Sequence, residues 1–194
     1  MKKTLFFLFV LFLSGCTKPI SHNPVNTEPS DKKQKLETVH IVEFFDYGCE
    51  HCRTSHNVFK KLQQTFGDKL VITPKHFPLK SETFLVAEAS ECARKQGAFE
   101  SFSDQAFENF GVFTTKKMEE IAKKLNLNME NFSLCLKSGF AKNIVQQHIN
   151  EGDVLGIKGT PFFLVNEKLE IPISLPEKSF ETIIQKLLDG IDVG

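Results

Sequence analysis

Residues 39–52 read VHIVEFFDYGCEHC, and this stretch decides the fold. Its first seven residues are rich in β-branched and aromatic side chains, in a run short enough for a buried β-strand. Beyond the cysteines, Val58, Phe59, Leu62 and Phe66 recur at the spacing of one helix face. The sequence therefore predicts a strand, a turn that carries two cysteines, and a helix.

The two cysteines of this turn, Cys49 and Cys52, are predicted to differ in chemistry. Cys49 would lie at the helix N-terminus, where unpaired N–H groups and the positive end of the helix dipole favour a thiolate. Cys52 would lie one turn further in and be less exposed. This arrangement predicts that Cys49 is the attacking sulfur and that Cys52 closes the disulfide.

Half of a zinc site is the alternative interpretation of Cys49 and Cys52. Such a site needs a second pair of ligands. Cys92 and Cys135 are far apart in the sequence, and neither has a Cys-x2-Cys or His-x3-His partner. The sequence therefore favours redox chemistry and predicts no metal site and no cofactor.

The N-terminal segment has the pattern of an export signal. Lys2 and Lys3 precede nine apolar residues, Leu5 to Leu13, a run too short to span a bilayer. The following Ser14-Gly15-Cys16 completes a sequence similar to the bacterial lipobox. We therefore expect residues 1–15 to be a signal peptide and Cys16 to carry lipid, the alternative being an ordinary signal with a chance cysteine.

Residues 16–37 are predicted to be a flexible tether, because Pro19, Pro24 and Pro29 stand among polar residues with little to bury. The protein would then be exported and lipid-anchored to a bacterial membrane, facing the periplasm or the cell exterior.

Residues 38–190 would form one domain. Without Lys2 and Lys3 the chain has 22 basic and 24 acidic residues, so no charge bias indicates nucleic acid. No extra dimerisation domain is evident, and a monomer is expected.

The remaining elements predict a mixed sheet. A second strand is expected at Lys69 to Lys75, and helical blocks fill residues from about 80 to 152. A hairpin follows, with strands at Phe162 to Val165 and Leu169 to Ile173, and then an amphipathic helix from Glu177 to Leu188. The helical blocks contain five phenylalanines that could line a peptide groove, but their helical spacing favours a core: Phe99, Phe102, Phe107, Phe110 and Phe113.

Two motifs in this order resemble the DsbA-like branch of the thioredoxin superfamily. They are Phe44 to Cys52 (FFDYGCEHC) and Gly159 to Asn166 (GTPFFLVN), and the resemblance covers Leu36 to Leu188. It implies an α/β, thioredoxin-like mixed sheet with an inserted all-helical subdomain. It also implies that Pro161 is a cis-proline facing the cysteines and that Thr160 offers its backbone to a bound peptide strand.

The same resemblance gives roles to three charged or titratable residues. His51 stands between the cysteines as in the oxidising members of the family, where its imidazole can donate to or pair with the Cys49 thiolate. Glu43 matches a buried acid that relays the proton of the second cysteine, and the alternative is a structural ion pair with a strand lysine such as Lys75. Glu50 stands at a position where proline is common in the family, so the resemblance does not determine the redox potential.

The resemblance implies a protein thiol:disulfide oxidoreductase that introduces disulfides into exported proteins through a Cys49–Cys52 couple. Its partners would be exported protein or peptide thiols and a membrane or soluble redox partner that regenerates it. If the pKa of Cys49 fell to about 4, the potential would rise by something near 90 mV. A reductase or isomerase of the same fold is the first alternative, and a non-enzymatic lipoprotein with a structural Cys49–Cys52 bond is the second.

Cys92 and Cys135 lie on the apolar faces of two predicted helices. In an oxidising compartment they would form a structural disulfide, and the alternative is two buried thiols that pack as small apolar groups.

Cys16 gives the first testable prediction. Replacing Cys16 with serine should release an intact, active domain from the membrane, because the lipid would be its only anchor. Fractionation of cells that express each form measures this. If the protein with Cys16 is soluble after signal removal, the lipoprotein prediction is wrong.

Overall fold

The computed structural model describes residues 35–193, so the predicted signal peptide, Cys16 and most of the predicted tether lie outside the described residues. A single 3₁₀ turn, Gly67–Lys69, follows the first helix. No helix within residues 35–193 is long and apolar enough to cross a membrane. The strands and helices, in chain order, are β1 (Val39–Phe45), α1 (Glu50–Phe66), β2 (Leu70–His76), α2 (Ser81–Arg94), α3 (Phe99–Glu108), α4 (Thr115–Lys124), α5 (Met129–Lys137), α6 (Phe140–Val154), β3 (Phe162–Val165), β4 (Leu169–Ile171) and α7 (Glu177–Leu188).

The four strands form one mixed sheet in the order β2-β1-β3-β4. β1 pairs in parallel with β2 and antiparallel with β3, and β3 pairs antiparallel with β4. Pro74 lies within β2, as a proline can in an edge strand. β4 ends at Ile171, two residues earlier than the sequence predicted, because Pro172 has no N–H group to continue the ladder. The predicted mixed sheet is confirmed.

The two faces of the sheet pack against different helices. On one face, Ile41 and Phe163 pack with α1 and α7 through Phe59 and Phe180, which are almost fully buried. On the other face, Phe44 and its neighbours pack near α6. Because β1 is covered on both faces and flanked by strands on both edges, its C-terminal end is a rigid platform for the turn that carries the cysteines.

The helices α2 to α6 stand between β2 and β3 and have their own core. Phe99, Phe102 and Phe107 are buried in it, as predicted. Phe110 and Phe113 are only partly buried, which corrects their assignment to the core. They follow the end of α3, in the loop before α4, and line a hollow together with Gly48 of the cysteine turn.

Cys92 of α2 and Cys135 of α5 form a disulfide with a Cα–Cα distance of 5.7 Å. The bond closes a loop with a sequence separation of 43 residues. Closing a loop of that length lowers the entropy of the unfolded chain by an amount worth roughly 4 kcal/mol in the chain-entropy treatment. The bond therefore fixes α2 and α5 within the helical insertion.

Candidate active site

Cys49 is the residue that caps the N-terminus of α1. Its backbone is extended, with φ −100° and ψ 117°, and the helix begins at the next residue. The Cys52 N–H donates to Cys49 Sγ at 3.2 Å, so the sulfur occupies the place of an N-cap oxygen. The strand-to-helix geometry predicted from the sequence is thus present, and it directs unpaired N–H groups at one sulfur.

Asp46 fixes the turn between β1 and α1, and sequence reasoning missed it. Its Oδ1 accepts from the Gly48 N–H and its Oδ2 from the Leu79 N–H, both at 2.9 Å, while its carbonyl accepts from the Cys49 N–H at 3.0 Å. A polar residue directly after a buried strand was the available signal. A Cβ on Gly48 would lie 2.7 Å from Thr83 Cγ2, so only glycine lets the turn approach α2 this closely.

The surroundings of Cys49 lower its pKa from the ordinary 9.0 to about 6. The largest cause is the hydrogen bond from the Cys52 thiol, which burial of Cys49 opposes. The Thr160 side chain and the backbone N–H groups of Cys52 and His51 add to the lowering. At pH 7 such a thiol is mostly thiolate, which is the reactive form.

Cys52 has the opposite environment. It is fully buried, and desolvation raises its pKa far above the ordinary value, with the neighbouring Cys49 adding to the increase. Cys49 is partly exposed. The structure therefore separates the two sulfurs into an accessible thiolate and an inaccessible thiol.

Thr160 and Pro161 face this pair across the site. The Thr160–Pro161 peptide bond is cis, and the Thr160 carbonyl oxygen lies 3.3 Å from Cys49 Sγ, where it accepts a hydrogen bond from the protonated form of Cys49 only. The Thr160 hydroxyl is buried and has no hydrogen-bond partner of ordinary geometry among residues 35–193. The hydroxyl is nevertheless close enough to Cys49 to stabilise the thiolate and so to lower the pKa of Cys49. The structure thus brings Thr160 and Pro161 to the cysteines, from a segment more than a hundred residues away.

His51 and Glu50 are the two residues between the cysteines. The His51 side chain is exposed, and the backbone N–H of His51 is among the groups that lower the pKa of Cys49. The Glu50 carboxylate accepts from Arg53 at 2.5 Å, one turn along α1. Arg53 lies 5.1 Å from the centre of the Phe110 ring. The negative charge of Glu50 beside Cys49 is therefore partly neutralised by a neighbour on the same helix.

Glu43 is buried on β1, on the sheet face that α1 covers. Burial raises its pKa from 4.5 to about 8, with smaller contributions from the charges of Cys49 and Glu100. Its Oε1 has no hydrogen-bond partner among the described residues. Lys75, the predicted alternative partner, pairs with Glu151 instead, so the proposed Glu43–Lys75 ion pair is wrong.

A cavity of about 500 Å³ connects Glu43 with the surface between α1, α3 and the sheet. Lys60 and Glu100, both exposed, line the same cavity.

The pKa of Glu43 is higher in the folded chain than its ordinary value. The free energy of unfolding therefore decreases, through this group, as pH rises from about 4.5 to about 8. A carboxylic acid at this place is neutral at pH 7 and able to give or accept a proton.

A hollow of about 320 Å³ adjoins the cysteine turn. Gly48, Lys80 and Glu82 line it together with the partly exposed Phe110 and Phe113. Such a combination of aromatic surface and a few charged groups is suited to an apolar side chain of a polypeptide. These two phenylalanines are the site residues that the helical spacing led us to place in the core.

Taken together, the arrangement can exchange disulfides. Cys49 is accessible and ionised, Cys52 is adjacent and protonated, and Glu43 supplies a titratable acid on the sheet face below α1. An attacking thiolate, a resolving thiol and a proton donor are the groups that thiol–disulfide exchange requires.

Solved structures share this fold. The oxidised BdbD from Bacillus subtilis superposes with a TM-score of 0.71 at 23% identity, covering 80% of this chain and 90% of that one. The thiol-disulfide exchange protein alpha-DsbA2 from Wolbachia pipientis gives a TM-score of 0.71 at 19% identity, covering 79% and 84%. At these identities the likeness establishes the fold.

Curated relatives are similar over only part of their length. The Na(+)/H(+) antiporter NhaA 1 of Mycobacterium sp. (strain KMS) is 29% identical over 133 residues, which are 66% of this chain and 22% of the antiporter. The chain therefore spans about a fifth of the length of the curated relatives it matches. The family profile described as "Thioredoxin" matches residues 37–186, which include every group of the site described above, and the chain belongs to this family.

Proposed function

We propose that this protein is a membrane-tethered thiol:disulfide oxidoreductase that introduces disulfides into exported proteins. The observation that carries the proposal is the split between the two sulfurs: Cys49 is partly exposed with a pKa of about 6, and Cys52 is buried with a raised pKa. A purely structural disulfide gains nothing from an ionised, accessible sulfur. The name of alpha-DsbA2 as a thiol-disulfide exchange protein adds support by analogy of fold.

In the oxidised enzyme a substrate thiolate attacks Cys49 Sγ. The Cys49–Cys52 bond breaks, a substrate–Cys49 disulfide forms, and Cys52 leaves as a thiolate that takes a proton. Neutral Glu43 is the acid proposed to supply that proton, directly or through water in the adjoining cavity. A second substrate thiolate then attacks the substrate sulfur of the mixed disulfide, which releases oxidised substrate and leaves Cys49 as a thiolate.

The surroundings of the pair suggest what the enzyme binds. Thr160 offers its backbone beside cis-Pro161, and the hollow lined by Phe110 and Phe113 would accept an apolar side chain next to the reacting cysteine. We therefore propose exported polypeptide thiols as substrates and a membrane or soluble redox protein as the partner that reoxidises Cys49 and Cys52. Attachment through lipidated Cys16 and a monomeric state complete the proposal.

Reduction or isomerisation of disulfides is the second candidate function. The reason is that the pKa of Cys49 is lowered to about 6 and not to the value near 4 considered in the sequence analysis. A pKa of about 6 leaves roughly ten thiolates for each thiol at pH 7, which favours the reduced enzyme by about 1.4 kcal/mol. This raises the potential by at most about 30 mV, since solvent around the half-exposed sulfur screens the effect. The 90 mV expected for a pKa near 4 is therefore too large.

The redox potential gives the second prediction. We expect the Cys49–Cys52 couple, equilibrated against glutathione at pH 7, to lie between the thioredoxin value of about −270 mV and the DsbA value of about −120 mV. A potential at or below about −270 mV would indicate that the protein is a disulfide reductase and not an oxidant. Resistance of the bond to mild reductants would instead support the structural alternative.

The third prediction concerns the different roles of the two sulfurs, attack by Cys49 and resolution of the mixed disulfide by Cys52. Changing Cys52 to serine keeps the attacking sulfur but removes the group that resolves the intermediate, so substrate disulfides should accumulate through Cys49. Non-reducing electrophoresis and mass spectrometry of cell-envelope extracts measure them. The matched control is Cys49→Ser, and adducts through Cys52 in that variant would reverse the assignment.

The fourth prediction concerns Glu43. Glu43→Gln removes the acid without changing the shape of the side chain, and the oxidation of a peptide thiol should slow by roughly 100-fold, the lower end of the range for acid–base catalysis. The ratio of wild-type to variant rates should fall as pH rises through about 8, because the protonated acid is titrated away. Stopped-flow kinetics from pH 6 to 9 measure both quantities.

Glu100→Gln is the control for this experiment, since Glu100 lines the same cavity but is exposed. It should leave the rate at pH 7 nearly unchanged and move the pH dependence only slightly towards lower pH, because the charge of Glu100 makes a smaller contribution than burial to the raised pKa of Glu43. A rate ratio for Glu43→Gln that does not vary with pH would show that Glu43 only supports the structure.

A further inference from the structure

A buried cluster of metal-ligating side chains lies behind the cysteine turn, outside the site described above. His76 ends β2, Glu91 lies on α2 and His148 lies on α6. One nitrogen or oxygen atom from each side chain lies within 4.8 Å of the corresponding atoms of the other two. His76 and Glu91 are 1% and 2% exposed, and His148 is partly exposed. Two imidazoles and one carboxylate from three separate elements thus converge on one point.

The hydrogen bonds leave one nitrogen of His76 without a partner. Nε2 is 2.8 Å from Glu91 Oε1, so in the neutral ring Nε2 carries the proton and donates it to the carboxylate. Nδ1 then holds a lone pair, and it is buried with no hydrogen-bond partner among residues 35–193. The backbone N–H of His76 donates to His148 Nδ1 at 3.2 Å, which keeps the second imidazole beside the first. A buried acceptor without a donor is unfavourable unless it is used.

We propose that His76, Glu91 and His148 form a binding site for a divalent transition-metal ion such as Zn²⁺. The two imidazoles are the ligands: His76 binds through Nδ1, and His148 binds through Nδ1 once it gives up its hydrogen bond from the His76 backbone N–H, because a neutral imidazole has only one lone pair. Glu91 holds the Nε2–H of His76, which is the carboxylate–histidine–metal arrangement usual around protein metals. Imidazole donors favour Zn²⁺ and its neighbours over Ca²⁺ and Mg²⁺, which prefer sites made of oxygen atoms.

Binding of one ion requires the two imidazoles to move closer together. Zn–N bonds of about 2.0–2.1 Å place tetrahedral ligand pairs about 3.3 Å apart, whereas the atoms of the cluster lie within 4.8 Å of one another. His148 is the partly exposed member of the cluster. Arg94 Nε donates to both oxygens of Glu91, at 3.1 and 3.0 Å, and holds the carboxylate in place.

The fifth prediction tests this site directly. Zn²⁺ is titrated into the full chain carrying Cys16→Ser, with Cys49–Cys52 and Cys92–Cys135 oxidised so that no thiol competes, against a chromogenic chelator. We expect one equivalent to bind. His148→Gln should weaken binding by about 100-fold or more, since it removes a ligand, and Glu91→Gln by about 10- to 100-fold, as expected for an outer partner. Glutamine at 148 can still accept from the His76 N–H, which preserves the local packing.

His56→Gln is the matched control, because His56 also pairs with a carboxylate, Asp104, at 2.7 Å, but lies outside the cluster. It should leave Zn²⁺ affinity unchanged. Visible absorption of bound Co²⁺ provides a second readout, with the intense bands of a tetrahedral nitrogen-containing site in the wild type and their loss in His148→Gln. Equal affinity of the wild type and His148→Gln, or a Co²⁺ spectrum like that of the aqueous ion, would overturn the proposal.

Discussion

The hydrogen bond from the Cys52 N–H to Cys49 Sγ is the interaction on which the site depends. It requires β1 to end, the chain to turn and α1 to begin within four residues, so that a cysteine sulfur takes the place of a capping oxygen. The N–H groups of the first helical turn have no partner within the helix, and they act on the charge that Cys49 develops. The pKa of Cys49 is thus partly a consequence of where the helix starts.

The turn that provides this geometry is stabilised by a buried acid. Asp46 is almost fully buried and uses both carboxylate oxygens and its carbonyl to hold the backbone of Gly48, Leu79 and Cys49. Glu43, three residues earlier, is buried without such partners and has a raised pKa. The two carboxyl groups therefore differ in function because of their hydrogen bonds. One holds the backbone of the turn, and the other is a neutral acid on the sheet face below α1.

The sequence was most informative where the signal was local. β1, β3 and α7 have the predicted bounds, because runs of apolar residues with helical or strand spacing report burial directly. The cis bond at Pro161 followed from the resemblance to the DsbA-like branch and not from the local pattern, which showed only a proline ahead of a strand. Contacts between distant residues could not be predicted from the sequence. The ion pair of Lys75 with Glu151 and the cluster of His76, Glu91 and His148 form only when α6 packs beside β2. Periodicity likewise could not show that Phe110 and Phe113 lie past the end of α3.

The helical insertion and the sheet contribute different properties to the site. Outside the insertion, the first turn of α1 and Thr160, just before β3, determine how strongly Cys49 ionises, through the Cys52 thiol, the N–H groups of His51 and Cys52, and the Thr160 side chain. The insertion shapes the surface beside the cysteine turn, since Thr83 packs against Gly48 and the loop after α3 supplies Phe110 and Phe113. The Cys92–Cys135 bond holds α2, which begins near that contact, to α5. Under the proposed function, a change in the insertion would therefore alter the surface that meets a substrate, while the groups that ionise Cys49 stay in place because they lie on other elements.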